Sequence, residues 1–202
     1  MQKTKPKIKP DKFRNQYRIP SARKRKWDYR SKAIYFITIC TRNRLTYFGR
    51  IENGKMILSD TGQIATTYWF DIPKHFPFIE LINFVVMPNH IHGLVEIRDN
   101  NIDNMVGNTV ETLHATSLQR MPPQQRTNQF MAGISPKRGS LSSVLRSYKS
   151  AVTRYANRNN FEFGWQTRFH DHVIMNIDEF NRVNEYIINN PQKWHEDDML
   201  VI

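Results

Sequence analysis

The chain has 202 residues, 39% of them apolar and 12% aromatic, and a formal charge of +12. That apolar fraction supports a buried core, so wholesale disorder is excluded, and the length suits one domain with appendages. No apolar run reaches the length of a membrane span, and the single cysteine, Cys40, allows neither a disulfide framework nor a zinc cluster, so a cytoplasmic location is expected.

Residues 1–30 carry twelve Lys/Arg, including Arg23, Lys24, Arg25 and Lys26, against Asp11 and Asp28, a net of +10. They show no apolar period and read as a flexible basic arm. A single domain follows over 31–202. "AIYFITICTRNR" (33–44), rich in β-branched and aromatic residues, predicts a central strand. In "LTYFGRIENGKMILSD" (45–60), Asn53-Gly54 between apolar pieces predicts a β-hairpin. Ser59 or Asp60 caps a predicted helix through "TGQIATTYWFDIPKHF", with Ile64, Thr67, Tyr68 and Asp71 at helical spacing and Pro73 weakening its end. "IELINFVVMP" and "HIHGLVEI" read as two strands joined at Pro88-Asn89. Residues 98–138 are polar and broken by Pro and Gly, and read as a long surface insertion.

"GSLSSVLRSYKSAVTRYANRN" places Leu141, Val144, Leu145, Tyr148, Ala151, Val152 and Tyr155 on one helical face. "WQTRFHDHVIM" reads as a short strand. "NIDEFNRVNEYIINNPQKW" reads as a last helix, capped by Asn176 with Glu179 and stopped by Pro191. The order strand with hairpin, helix, strand, strand, helix, strand, helix predicts an α+β, ferredoxin-like split βαβ sandwich, an antiparallel sheet with helices on one face.

The basic charge fits a polyanionic partner and, for the arm taken alone, equally a solvated tail. Between Glu111 and Glu162 there is no acid, whereas Arg120, Arg126, Lys137, Arg138, Arg146, Lys149, Arg154 and Arg158 lie there. Such patches attract phosphates by Coulomb forces and counterion release.

Within "MPNHIHGL", alternate residues of a strand share a face, so His90 and His92 point together while Ile91 turns toward the core. Two imidazoles so placed can chelate one metal, although strand histidines are more often simply exposed. His170 and His172 form a second pair, but Asp171 between them lacks the aliphatic anchor. On the last helix, Tyr186 and Asn190 are four apart beside the stripe of Phe180, Val183 and Ile187. A tyrosine hydroxyl can attack a phosphodiester, and a carboxamide oxygen one turn on can reach the same metal. Tyr155 and Asn159 have the same spacing, but Tyr155 belongs to an apolar stripe.

Taken together, "MPNHIHGL", "YKSAVTRY", "WQTRFHDHVI" and "YIINNP", in that order, resemble the REP-associated tyrosine transposases, single-tyrosine members of the HUH endonucleases. The resemblance runs from about residue 31 to Trp194 and leaves out 98–138. It implies Tyr186 as nucleophile and His90, His92 and Asn190 as ligands of Mg²⁺ or Mn²⁺. Insertion-sequence relatives carry Gln where Asn190 stands. It further implies cleavage and rejoining of single-stranded or hairpin DNA through a 5′-phosphotyrosine, with no small-molecule cofactor and a monomer or homodimer. On this reading Arg23, Lys24, Arg25, Lys26, Arg138, Arg146, Lys149, Arg154, Arg158 and Arg168 hold phosphates. Two other readings compete: a non-catalytic nucleic-acid-binding sheet using strand aromatics such as Tyr35, Phe36 and Phe84, and a metal phosphodiesterase that does not need Tyr186.

Overall fold

The computed structural model describes residues 12–13, 16–17, 27–98 and 136–196. Two short strands, β1 (Lys12–Phe13) and β2 (Gln16–Tyr17), pair antiparallel within the stretch that its composition marks as an arm. From Trp27 the chain has joined the core: Tyr29 is buried, and its carbonyl accepts the Leu141 N–H.

The central sheet has four antiparallel strands in the order β6 (Ile79–Met87), β7 (His90–Ile97), β3 (Ala33–Cys40), β8 (His170–Ile174). Strand β3 is shorter than its sequence suggests. Thr41 Oγ1 donates to the carbonyls of Leu45 and Asn89, and Asn43 and Arg44 adopt positive φ, so the chain turns away from the sheet at once. The expected hairpin is present as β4 (Gly49–Glu52) and β5 (Lys55–Leu58). Its two-residue loop, Asn53 (φ 50°) and Gly54 (φ 71°), has both residues in the left-handed region that a tight hairpin requires.

Helix α1 (Asp60–Phe70) starts where Ser59 Oγ accepts the Gly62 N–H. Its buried face is Thr61, Ala65 and Trp69, not the expected row of Ile64, Thr67, Tyr68 and Asp71. The largest side chain decides the rotation. Trp69 lies over Gly93, where a Cβ would stand only 2.3 Å from the indole, so Gly93 is the gap into which the ring fits. A separate turn, α2 (Ile72–His75), carries Pro73 where no N–H is needed. Helix α3 (Leu141–Arg158) buries Leu141, Val144, Leu145, Tyr148 and Val152 as its period predicts, and Tyr148 Oη donates to the Ala65 carbonyl at 3.0 Å, tying α3 to α1. Of the predicted strand 165–175 only His170–Ile174 is continuous; Trp165 makes a lone bridge to Thr41. Helix α4 (Ile177–Asn189) is capped by Asn176, whose Oδ1 accepts the Glu179 N–H.

Strand register decides which face each helix covers. Tyr35, Ile37, Ile39, Ile91 and Val95 share one face with Gly93 and therefore meet α1 and α3. Phe36, Thr38, Cys40, His90 and His92 share the other face, which α4 covers. The expectation of helices on one face is thus corrected: α1 and α3 lie on one side, and α4 on the other. No helix among the described residues is long and apolar enough to cross a membrane.

Candidate active site

His90 and His92 project side by side from β7 toward α4, both 1% exposed, with ring centroids 4.5 Å apart. Each ring is held through Nδ1, to Asn89 Oδ1 at 2.7 Å for His90 and to Thr38 Oγ1 at 2.9 Å for His92. Asn89 is fixed in turn, because its carbonyl accepts both the N–H and the hydroxyl of Thr41. An amide oxygen only accepts, so His90 carries its proton on Nδ1 and its lone pair on Nε2. Burial first, and the neighbouring His90 second, push the His92 pKa well below the ordinary histidine value, so His92 is neutral.

The last helix brings Tyr186 to this pair. Its hydroxyl stands 3.2 Å from His92 Nε2, and its ring meets Phe36 edge-on at 6.1 Å. Tyr186 is 38% exposed, whereas Asn190, one turn later, is 2% exposed. Beyond Pro191 the chain turns back, and Trp194 stacks on His90 at 6.0 Å. The donors that meet here are two imidazoles and a phenol, and the buried carboxamide of Asn190 follows one helical turn after the phenol. Two imidazoles with a carboxamide oxygen form a set of neutral donors that suits a divalent cation still able to take phosphate oxygens. Among the described residues no group of three or more His, Cys, Asp or Glu is assembled for a metal.

The competing residues lie elsewhere. His170 and His172 are exposed on the edge strand β8, and His172 Nε2 pairs with Glu179 Oε1 at 2.7 Å. Tyr155 is half-buried beside Phe161 on α3, across the sheet from Tyr186, and Asn159 Nδ2 donates to its carbonyl, which closes the helix end. Arg146, Lys149, Arg154 and Arg158 line one groove of about 900 Å³ along α3, with Trp165 and Phe169 in its wall. This groove lies on the face opposite the histidines. Lys149 is engaged in the fold: its Nζ donates to the Gln166 carbonyl at 2.6 Å, and burial lowers its pKa. Arg138 and Arg168 are exposed outside the groove lining, and Arg23, Lys24, Arg25 and Lys26 lie outside the described residues.

Thr38, Thr41, Asn89 and Trp194 escaped the sequence reading. Asn89 directly precedes "HIH", but Thr38 and Thr41 are about fifty residues away and meet the histidines only through strand pairing.

No protein-family model matches the chain. An uncharacterized protein of Haemophilus influenzae (strain Rd) is 36% identical over 184 residues, 90% of this chain and 92% of that protein. Among solved structures, a REP-associated tyrosine transposase bound to a REP hairpin is similar with a TM-score of 0.51 at 18% identity, over 85% of this chain and 73% of that one. The chain therefore has a transposase-like fold.

Proposed function

The chain belongs to one family with the Haemophilus influenzae protein, and we propose that it is a metal-dependent single-strand DNA endonuclease and strand transferase. It acts at hairpin sequences through a covalent 5′-phosphotyrosine, as an HUH-type transposase of the REP-associated tyrosine class. One observation carries this reading: the Tyr186 hydroxyl is 3.2 Å from His92 Nε2, beside a second buried histidine. The fold shared with a transposase whose structure holds a REP hairpin supports it.

His90, His92 and Asn190 would hold Mg²⁺ or Mn²⁺, which when bound would withdraw charge from the oxygens of the scissile phosphate. The rest falls to the chain. Thr38 and Asn89 keep the Nε2 lone pairs of both histidines turned toward the site. Phe36 and the α4 backbone hold the Tyr186 ring so that its hydroxyl faces the same point while remaining reachable from solvent. A bond forms between Tyr186 Oη and phosphorus, the bond from phosphorus to the 3′ oxygen breaks, and the phenolic proton ends on the departing 3′ hydroxyl. The phosphodiester count is unchanged, so no nucleotide triphosphate is required, and attack by another 3′ hydroxyl rejoins the strand. Exposed Arg146 and Arg158 in the α3 groove supply phosphate contacts away from the chemistry.

The rival reading, a non-catalytic sheet that stacks bases on strand aromatics, finds no open platform in Tyr35, Phe36 and Phe84 of the described central sheet. Tyr35 is buried, Phe84 is stacked on Trp69, and Phe36 packs against His92 and Tyr186. The test is to incubate the protein with single-stranded hairpin DNA labelled on either side of the expected cut, in Mg²⁺ or Mn²⁺. The proposal requires a denaturant-resistant protein–DNA adduct that keeps the 3′-side label and a released strand with a 3′ hydroxyl. Cleavage without an adduct would favour the plain phosphodiesterase.

A further inference from the structure

Helix α4 carries the nucleophile, yet its apolar hold on the sheet is slight. Ile187 is its one buried side chain, while Ile177 is 67% and Ile188 60% exposed. Apolar contact alone leaves such a helix free to slide or roll, and one residue of slip moves the hydroxyl by about 1.5 Å and turns it by about 100°. Something polar must fix its register.

Besides Glu179 with His172 at the start of α4 and Tyr186 with His92, a polar contact holds its middle from β6. Asn83 Nδ2 donates to Asn184 Oδ1 at 2.7 Å, two residues before Tyr186, and Asn83 Oδ1 accepts the Phe84 N–H at 2.8 Å. The second bond decides which end of the carboxamide meets the helix: the oxygen is engaged with the backbone, so the amine points to Asn184. That Asn83 faces α4 at all is due to an irregularity in the strand. Leu81 pairs with Val95 and Asn83 with Leu94, so the register shifts by one across Ile82. A regular strand would turn Asn83 toward Trp69 and the apolar layer. The bulge changes the parity, so Ile79 and Leu81 before it, and Phe84 and Val86 after it, all face α1 and α3, while Asn83 faces the catalytic side. The sequence "IELINFVVM" carries this phase switch.

We propose that Asn83 is a positioning residue for Tyr186: turned by the bulge, its carboxamide locks the register of α4 through Asn184. The inference rests on the reading of Tyr186 as nucleophile, and the Asn83 side chain bonds Asn184 and the Phe84 N–H rather than Tyr186 itself. Catalytic groups displaced by about 1 Å lose on the order of a hundredfold in rate, so the lock acts on turnover rather than on DNA affinity.

Two measurements test it on the full chain. The first is the rate of adduct formation at saturating hairpin DNA and Mn²⁺. Asn83→Ala and Asn184→Ala each lower it by at least about tenfold with the DNA concentration for half-maximal rate unchanged. The double variant is no worse than either single one, because both remove the same bond. Asn184→Asp, which keeps the accepting oxygen, restores most of the rate. The second is amide hydrogen exchange without DNA or metal, in which Asn83→Ala speeds exchange in α4 and leaves α3 unchanged. Parent-like rates in both alanine variants, additive losses in the double variant, or unchanged α4 exchange would each overturn the proposal. A parent protein that forms no adduct overturns it as well, by removing its nucleophile, and the exchange data then show separately whether the helix is locked.

Discussion

The two faces of the central sheet are built from the same four strands and hold opposite chemistry. Toward α1 and α3 the alternate residues are Tyr35, Ile37, Ile39, Ile91 and Val95, closed over by Trp69, Tyr148 and Leu145. Toward α4 they are Phe36, Thr38, His90 and His92, and the covering helix contributes Ile187, Asn184, Tyr186 and Asn190. The first face has the dense packing from which stability comes. The second spends buried area on polar groups whose hydrogen bonds orient other polar groups, which contributes little to stability and much to geometry. Period-two alternation lets one strand serve both: in "HIHG" the histidines face the site, Ile91 enters the core, and Gly93 makes room for Trp69.

If the faces divide labour in this way, substitutions on one should spare the property of the other. The largest effect is expected from His90→Ala and His92→Ala, each of which should abolish cleavage and weaken Mn²⁺ binding while the far-ultraviolet dichroism keeps its native form. Normal cleavage by either variant in Mg²⁺ would move attention to His170 and His172. On the opposite face, Gly93→Ala drives a Cβ to within 2.3 Å of Trp69 as it stands. Overpacking of this kind costs about 1–3 kcal/mol, so the melting temperature should drop by several degrees while adduct formation at low temperature persists.

A smaller and more graded effect is expected from charge. Residues 1–26 contain eleven Lys/Arg against Asp11, and removing them should weaken DNA binding and flatten the slope of log affinity against log salt. The cut belongs before Trp27, because Tyr29 is part of the core. An unchanged slope would take the arm off the phosphates.

The smallest effect concerns the start of α4. The Met175 N–H, and after it the His172 side chain, lower the pKa of Glu179. A carboxyl with a depressed native pKa contributes stability above its ordinary pKa and loses it as the pH falls through the native value. Hydrogen exchange in the first turn of α4 should therefore quicken in acid below the ordinary glutamate range, and Glu179→Gln should remove that dependence. A pH profile identical in parent and variant would show that Glu179 does not anchor the helix.

The faces also differed in how far they could be read from sequence. The hairpin at Asn53-Gly54, the caps Ser59 and Asn176 and the α3 stripe follow from local rules and stand as expected. The α1 face did not, because its rotation depends on a pocket at Gly93, far away in the chain. The side taken by α4 was equally hidden: its amphipathic period says that it packs, and only the connection from edge strand β8 says where. At the site, the His90–His92 alternation and the Tyr186–Asn190 spacing were visible, whereas Thr38, Asn83 and Trp194 are defined by pairings that no local pattern encodes.

Whether the hydroxyl of Tyr186 is the nucleophile is decided by comparing Tyr186→Phe with Tyr155→Phe. Both tyrosines stand four residues before an asparagine, but one meets His92 at 3.2 Å and the other packs against Phe161 on the opposite side of the sheet. Each protein is mixed with labelled hairpin DNA in Mn²⁺, denatured, and assayed for label that stays with the polypeptide. Tyr186→Phe should retain no label, with fold and DNA binding preserved, and Tyr155→Phe should label like the parent at a stability cost of at most about 1 kcal/mol. An adduct formed by the Tyr186→Phe protein and lost in Tyr155→Phe would contradict that assignment and place the chemistry on α3.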